Sequence, residues 1–136
     1  LLIREIVKST LHNNYIRYCG GLPALPNSKN GYWHRDVYSL FEDEKLEAKL
    51  PEFYITFLVA LEDITLESGG TEIIPRSQSL TIAESKKKKG VVVTLKSGSV
   101  LAIKGRTIHR GLANKTDEDK RLAYIVYCKR WYEDYV

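Results

Sequence analysis

Phe53-Tyr-Ile-Thr-Phe-Leu-Val-Ala-Leu61 decides the fold. Its side chains are almost continuously apolar or aromatic, and it is bounded by Pro51 on one side and Glu62-Asp63 on the other. A strand buried on both faces reads this way. Downstream, Thr71-Glu-Ile-Ile-Pro75 reads as a short strand stopped by proline, after a bend at Gly69-Gly70. Val91–Leu95, Val100–Ile103 and Leu122–Cys128 carry the same β-branched and aromatic content, separated by the turns Lys96–Ser99 and Asn114–Asp119. Upstream, Tyr15–Cys19 reads as a strand, and the Gly-, Pro- and Asn-rich run 20–31 as a loop. Apolar positions 2, 3, 6, 7 and 11 form a helical stripe, so a short helix is expected over 1–12. About seven strands at short spacing predict a mainly β protein, an antiparallel barrel or jelly roll with a short N-terminal helix.

Composition agrees with one globular domain over 1–136. Of the 136 residues, 43% are hydrophobic and 28% charged, enough for a core. No apolar run approaches the ~20 residues of a membrane helix, and charges interrupt the start of the chain where a signal peptide would lie. Two cysteines, Cys19 and Cys128, neither build a disulfide framework nor match a zinc site; reduced thiols and a cytoplasmic setting are expected. The net charge of +4 is concentrated only at Lys86–Lys89, read as a solvated loop. No aromatic residues interleave with it, so it offers no stacking platform for nucleic acid. The sequence has no methionine, even at its start, as a trimmed core of a longer chain would.

The chemistry gathers around Gly31-Tyr-Trp-His-Arg-Asp36. On a strand, residues i and i+2 share a face, so His34 and Asp36 would point into the same space, close enough to share a metal ion. A third ligand must come from elsewhere. Of the three histidines, His12, His34 and His109, the last sits at the end of an apolar run, where a strand would deliver it. Two histidines and one carboxylate on one side of iron form the facial triad of non-haem oxygenases, with positions left open.

Several blocks together resemble the phytanoyl-CoA dioxygenase family. They are Trp33-His-Arg-Asp36 with Leu40-Phe41, Leu61–Ile64 before Ser68-Gly-Gly-Thr71, Ile74-Pro-Arg-Ser77, and His109–Asn114 with Arg130-Trp-Tyr132. They run from about residue 30 to the C-terminus, in the family's order and spacing. The resemblance implies a double-stranded β-helix (a cupin-like jelly roll) and an iron(II)- and 2-oxoglutarate-dependent dioxygenase. Such an enzyme hydroxylates a small organic substrate with molecular oxygen and releases succinate and carbon dioxide. His34, Asp36 and His109 match the iron ligands. Relatives that halogenate lack the carboxylate, so Asp36 implies hydroxylation. Ser77-Gln78 and Gly98-Ser99 depart from the common Gly-Ser-His and Gly-Asp, away from the ligands.

In that family an arginine on the last strand grips the far carboxylate of 2-oxoglutarate, for which a planar guanidinium is suited. Counting from His109 without gaps puts the position on Lys120; the arginine is its neighbour Arg121. Adjacent strand residues face opposite sides, so a regular strand cannot aim both inward. The chemistry favours Arg121 and the register favours Lys120; Arg121 is preferred. Asn114 and Thr116 are expected to shape the preceding turn. The aromatics Tyr32, Trp33, Tyr38 and Phe41 either line a substrate pocket or, most of them and Trp33 by preference, belong to the barrel core, and Arg35 is expected in a salt bridge, with Glu62 or Asp63 as candidates. Two competing readings are a cupin-type dioxygenase that uses no 2-oxoglutarate, and a non-catalytic barrel binding an acidic partner through Lys86–Lys89.

Overall fold

A computed structural model describes residues 2–47 and 49–132; Leu1, included in the expected helix, and Ala48 lie outside them. The described residues form a four-stranded and a three-stranded antiparallel sheet with three short helices. In chain order these are α1 (Leu2–Leu11), β1 (Tyr15–Ala24), α2 (Glu44–Glu47), β2 (Tyr54–Ala60), β3 (Thr71–Ile73), α3 (Ile82–Ser85), β4 (Val91–Val93), β5 (Val100–Lys104), β6 (His109–Gly111) and β7 (Lys120–Lys129). The large sheet has the order β1-β7-β2-β5 and the small one β4-β3-β6. This is the jelly-roll architecture expected.

The large sheet is the scaffold. β2 is buried on both faces, as its composition requires. Ile55 and Phe57 point outward beneath α1 and pack with Val7, Leu11, Ile125 and Tyr127. Val7 and Leu11, one helical turn apart, are fully buried, whereas Leu2 faces solvent. His12 closes the helix in the left-handed region, φ 56°, with its N–H bonded to the Lys8 carbonyl, and takes no part in the site. On the opposite face of the sheet, Tyr54, Val126 and Cys128 join Val37, Phe53 and Tyr132 in a second cluster.

Three expectations are corrected. β1 does not stop at Cys19 but runs to Ala24, through Gly20, Gly21 and Pro23. It is an edge strand, paired only with β7, where proline and glycine are tolerated. A Cβ at Gly20 would lie 2.6 Å from the Tyr124 hydroxyl, so the Tyr124 side chain would have to shift to admit one. Second, the polar loop after Ser79 contains α3, started by a capping box in which Thr81 and Glu84 bond reciprocally. Third, Gly31–Asp36 is not a strand. It touches β6 through a single bridge, His34 with His109, helped by Gly31 N–H to the Gly111 carbonyl and Asp36 N–H to the Gly105 carbonyl.

Candidate metal centre

The two sheets enclose an open cavity of about 1160 Å³, lined by β1, β2 and β7 on one side and by β3, β6 and residues 33–39 on the other. His34, Asp36 and His109 converge on its wall, their ligand atoms all within 4.8 Å of one another. His109 Nε2 lies 3.5 Å and His34 Nε2 3.9 Å from Asp36 Oδ1, and the two imidazole rings are 4.4 Å apart.

The donor atoms are aimed. His34 Nδ1 donates to the carbonyl of Tyr32 and His109 Nδ1 to that of Thr107, each at 2.9 Å. A carbonyl only accepts, so these contacts place the proton on Nδ1 and leave the Nε2 lone pair facing Asp36, the arrangement metal-bound histidines adopt. Burial lowers the His109 pKa; the Asp36 carboxylate and the Thr107 carbonyl oppose that shift, and His34 adds to it. The ring is thereby kept neutral, as a ligand must be. Thr56 Oγ1 donates to Asp36 Oδ2 at 2.6 Å, leaving Oδ1 toward the histidines. Among the described residues Asp36 makes no ion pair with lysine or arginine, although its side chain is 16% exposed. A largely buried carboxylate facing two imidazole lone pairs fits a cation between them. Two nitrogens and one oxygen on one side are the donor set that suits iron(II).

The two ligand-bearing segments are held by backbone contacts. Arg35, between His34 and Asp36, does not pair with Glu62 or Asp63. Its guanidinium donates to the carbonyls of Ser77, Gln78 and Leu80, while Glu62 pairs with Arg121 and Asp63 with Lys96. Fully buried Ser77 also accepts the Ile108 N–H at 2.7 Å, so one turn binds both segments. Arg106 donates to the Glu47 and Leu50 carbonyls, anchoring the segment before β2.

The aromatics beside the site are not core. Tyr32 and Tyr38 are 92% and 86% exposed and Phe41 is largely open. Trp33 lines the cavity mouth with the Arg110 guanidinium 4.4 Å from its ring centre, and Arg110 is ion-paired to Glu72. The strand expected over Gly31–Asp36 would have hidden half of them, whereas the segment runs outside both sheets.

Lys120 and Arg121 are separated as strand alternation demands. Lys120 is buried, lines the cavity and donates to the Gly69 carbonyl. Burial lowers its pKa. Arg121 points away, its side chain 69% exposed and 3.4 Å from Glu62. The preference for Arg121 at the cavity is therefore not met. In the turn before β7, Asn114 bonds the Ala24 and Glu118 carbonyls and accepts from Thr116. Gly69, whose carbonyl Lys120 meets, has φ 85°, and a Cβ there would collide with the Leu112 and Ala113 carbonyls. Lys86–Lys89 follow α3 in an exposed turn.

The phytanoyl-CoA dioxygenase (PhyH) family model matches residues 6–122. Dioxygenase FUM3 of Gibberella moniliformis is 33% identical over 104 residues, covering 76% of this chain and 35% of the relative. The Fe(II)/2-oxoglutarate-dependent dioxygenase nvfF of Aspergillus novofumigatus is 30% identical over 112 residues, 79% of this chain and 37% of the relative. The chain thus spans little more than a third of either. The crystal structure of EvdO2 from Micromonospora carbonacea var. aurantiaca, complexed with 2-oxoglutarate, superposes with a TM-score of 0.72 at 18% identity, over 93% of this chain and 58% of that one. With the fold and the extent of the family match in agreement, the chain belongs to the phytanoyl-CoA dioxygenase family.

Proposed function

We propose that this chain is the core of an iron(II)- and 2-oxoglutarate-dependent dioxygenase that hydroxylates a small organic substrate. The observation that carries the reading is the convergence of one donor atom each from His34, Asp36 and His109 within 4.8 Å, with both Nε2 atoms within 3.9 Å of Asp36 Oδ1. These three would hold iron(II). Iron and 2-oxoglutarate, when bound, supply the oxidising chemistry: oxygen and 2-oxoglutarate are consumed, succinate and carbon dioxide leave, and a C–H bond becomes C–OH. The relatives' names support this choice of metal and co-substrate.

The chain's own residues bind and orient. Lys120, in the role the sequence left open between it and Arg121, would meet the far carboxylate of 2-oxoglutarate as a point charge. A buried ammonium whose described partner is one backbone carbonyl is costly until an anion arrives. That favours the 2-oxoglutarate reading over a barrel oxygenase without it. The apolar inner faces of β2 and β7, with Leu58, Leu122 and Val126, keep water from the remaining space. Trp33 and Tyr38 stand at the mouth, where the substrate enters. No helix among the described residues is long and apolar enough to cross a membrane. Cys19, exposed, and Cys128, buried with its thiol toward the Tyr132 carbonyl, form no disulfide, which suits a reducing compartment such as the cytoplasm.

The test is succinate release from 2-oxoglutarate with iron(II), oxygen and a panel of small substrates. The protein should release succinate even without its true substrate, and His109→Ala should not. Release that is independent of iron, or equal in His109→Ala, would reject the assignment.

A further inference from the structure

We propose that Thr56 is a positioning residue of the metal centre: it occupies one oxygen of Asp36 so that the carboxylate offers the cation only the other. The inference rests on the metal-binding reading above and concerns how the carboxylate is presented.

Thr56 lies in the middle of β2, where the inward side chains are Tyr54, Thr56 and Leu58. Valine would fill the same volume. A hydroxyl buried among apolar neighbours costs free energy unless it is bonded, and Thr56, 7% exposed, spends its hydrogen bond on Asp36 Oδ2 at 2.6 Å. That length belongs to a hydroxyl donating to a charged acceptor. The other oxygen, Oδ1, is the one 3.5 Å from His109 Nε2 and 3.9 Å from His34 Nε2. The two oxygens of one carboxylate thus have separate partners.

The need for such a partner follows from the fold. Asp36 sits in a segment without a strand ladder, held by the His34–His109 bridge, its own N–H to the Gly105 carbonyl and the bonds of Arg35, none of which touches the carboxylate itself. β2 is the opposite: Thr56 is paired with Ile103 of β5 on one side and Val126 of β7 on the other. The paired strand therefore fixes one oxygen of the carboxylate through a single hydroxyl. Carboxylates bind cations with one oxygen or with both. Tying Oδ2 to Thr56 prevents the second mode, which would take up a coordination position that co-substrate or oxygen needs.

Thr56→Val and Thr56→Ser in the full chain test this with manganese(II), a paramagnetic stand-in for iron. Affinity is read by electron paramagnetic resonance, and coordinated water by proton relaxation of the loaded protein. Wild type should bind one ion per chain. Loss of this outer partner should weaken binding about 10- to 100-fold in Thr56→Val, with Thr56→Ser back to within ~3-fold. At saturating metal the valine variant should relax water protons less, because the released oxygen displaces a water. Thermal melting without metal should show the valine variant folded. If wild type binds manganese and Thr56→Val matches it in affinity and relaxation, the role of Thr56 is overturned and the metal site stands. If wild type itself fails to bind manganese, the metal site and this inference fall together.

Discussion

The two sheets that face each other across the cavity are built on different physics. The large sheet has strands of seven and ten residues, β2 and β7, and an apolar face sealed by α1. Every strand of the small sheet has three residues. Around it, side-chain bonds do much of the fixing: Ser77 accepts the Ile108 N–H, Arg35 donates to the Ser77, Gln78 and Leu80 carbonyls, and Arg110 pairs with the Glu72 carboxylate. Yet the small sheet and its flanking segment carry His109 and contact His34. The lesson is a division of labour. Burial of apolar area holds the scaffold, and directional bonds hold the ligands, whose placement tolerates errors of only fractions of an ångström.

This contrast can be broken in graded steps. Phe57→Ala, in the seam under α1, should cost about 3–5 kcal/mol, because it removes a fully buried ring and leaves a cavity. Chemical denaturation would measure it; a loss near that of a surface substitution would refute the scaffold assignment. Ser77→Ala should cost less, about 1–3 kcal/mol, by stranding the Ile108 N–H away from water. Its metal affinity should nevertheless fall, and titration of Phe57→Ala below its melting temperature should show no comparable fall. Equal effects on metal binding would erase the distinction between the sheets.

Lys120→Met sharpens the comparison, since it should stabilise the protein while disabling it. Removing a buried charge should raise stability at pH 7 by about 0.5–2 kcal/mol, and affinity for 2-oxoglutarate should collapse. The pH dependence has a definite sign. The folded-state pKa of Lys120 is lowered by burial from its ordinary 10.5, so between those two values the unfolded chain holds the extra proton. Its contribution to stability therefore rises with pH across that window. Melting curves of wild type should show this alkaline gain and those of Lys120→Met should lack it. The smallest effect belongs to the next residue. Arg121→Ala, losing an exposed pair with Glu62, should change stability by no more than ~0.5 kcal/mol and leave 2-oxoglutarate affinity unchanged. Loss of co-substrate binding there would exchange the roles of the two residues.

What could be read from sequence followed the same divide. The apolar runs of β2 and β7 and the stripe of α1 announced themselves, because period and composition report burial directly. So did the convergence of His34, Asp36 and His109, which bear chemistry that few residue types share. Gly20–Ala24 was hidden because glycine and proline usually break strands, and only pairing along an edge accommodates them here. The capping box at Thr81 was present in the sequence, yet α3 is a single turn that such a signal rarely guarantees. Which of Lys120 and Arg121 faces the cavity depends on where β7 begins, and the turn before it is tied by Asn114 reaching back to the Ala24 carbonyl, ninety positions earlier in the chain. Long-range hydrogen bonds of that kind leave no periodic trace.

Gly69 shows where this leaves the molecule open to change. It adds no side chain to the cavity, but it offers the carbonyl that receives the Lys120 ammonium and takes a backbone shape that other residues resist. On the proposed role of Lys120, replacing Gly69 would erode affinity for an anion it never touches, and a survey of variants that scored only cavity-lining positions would overlook the cause.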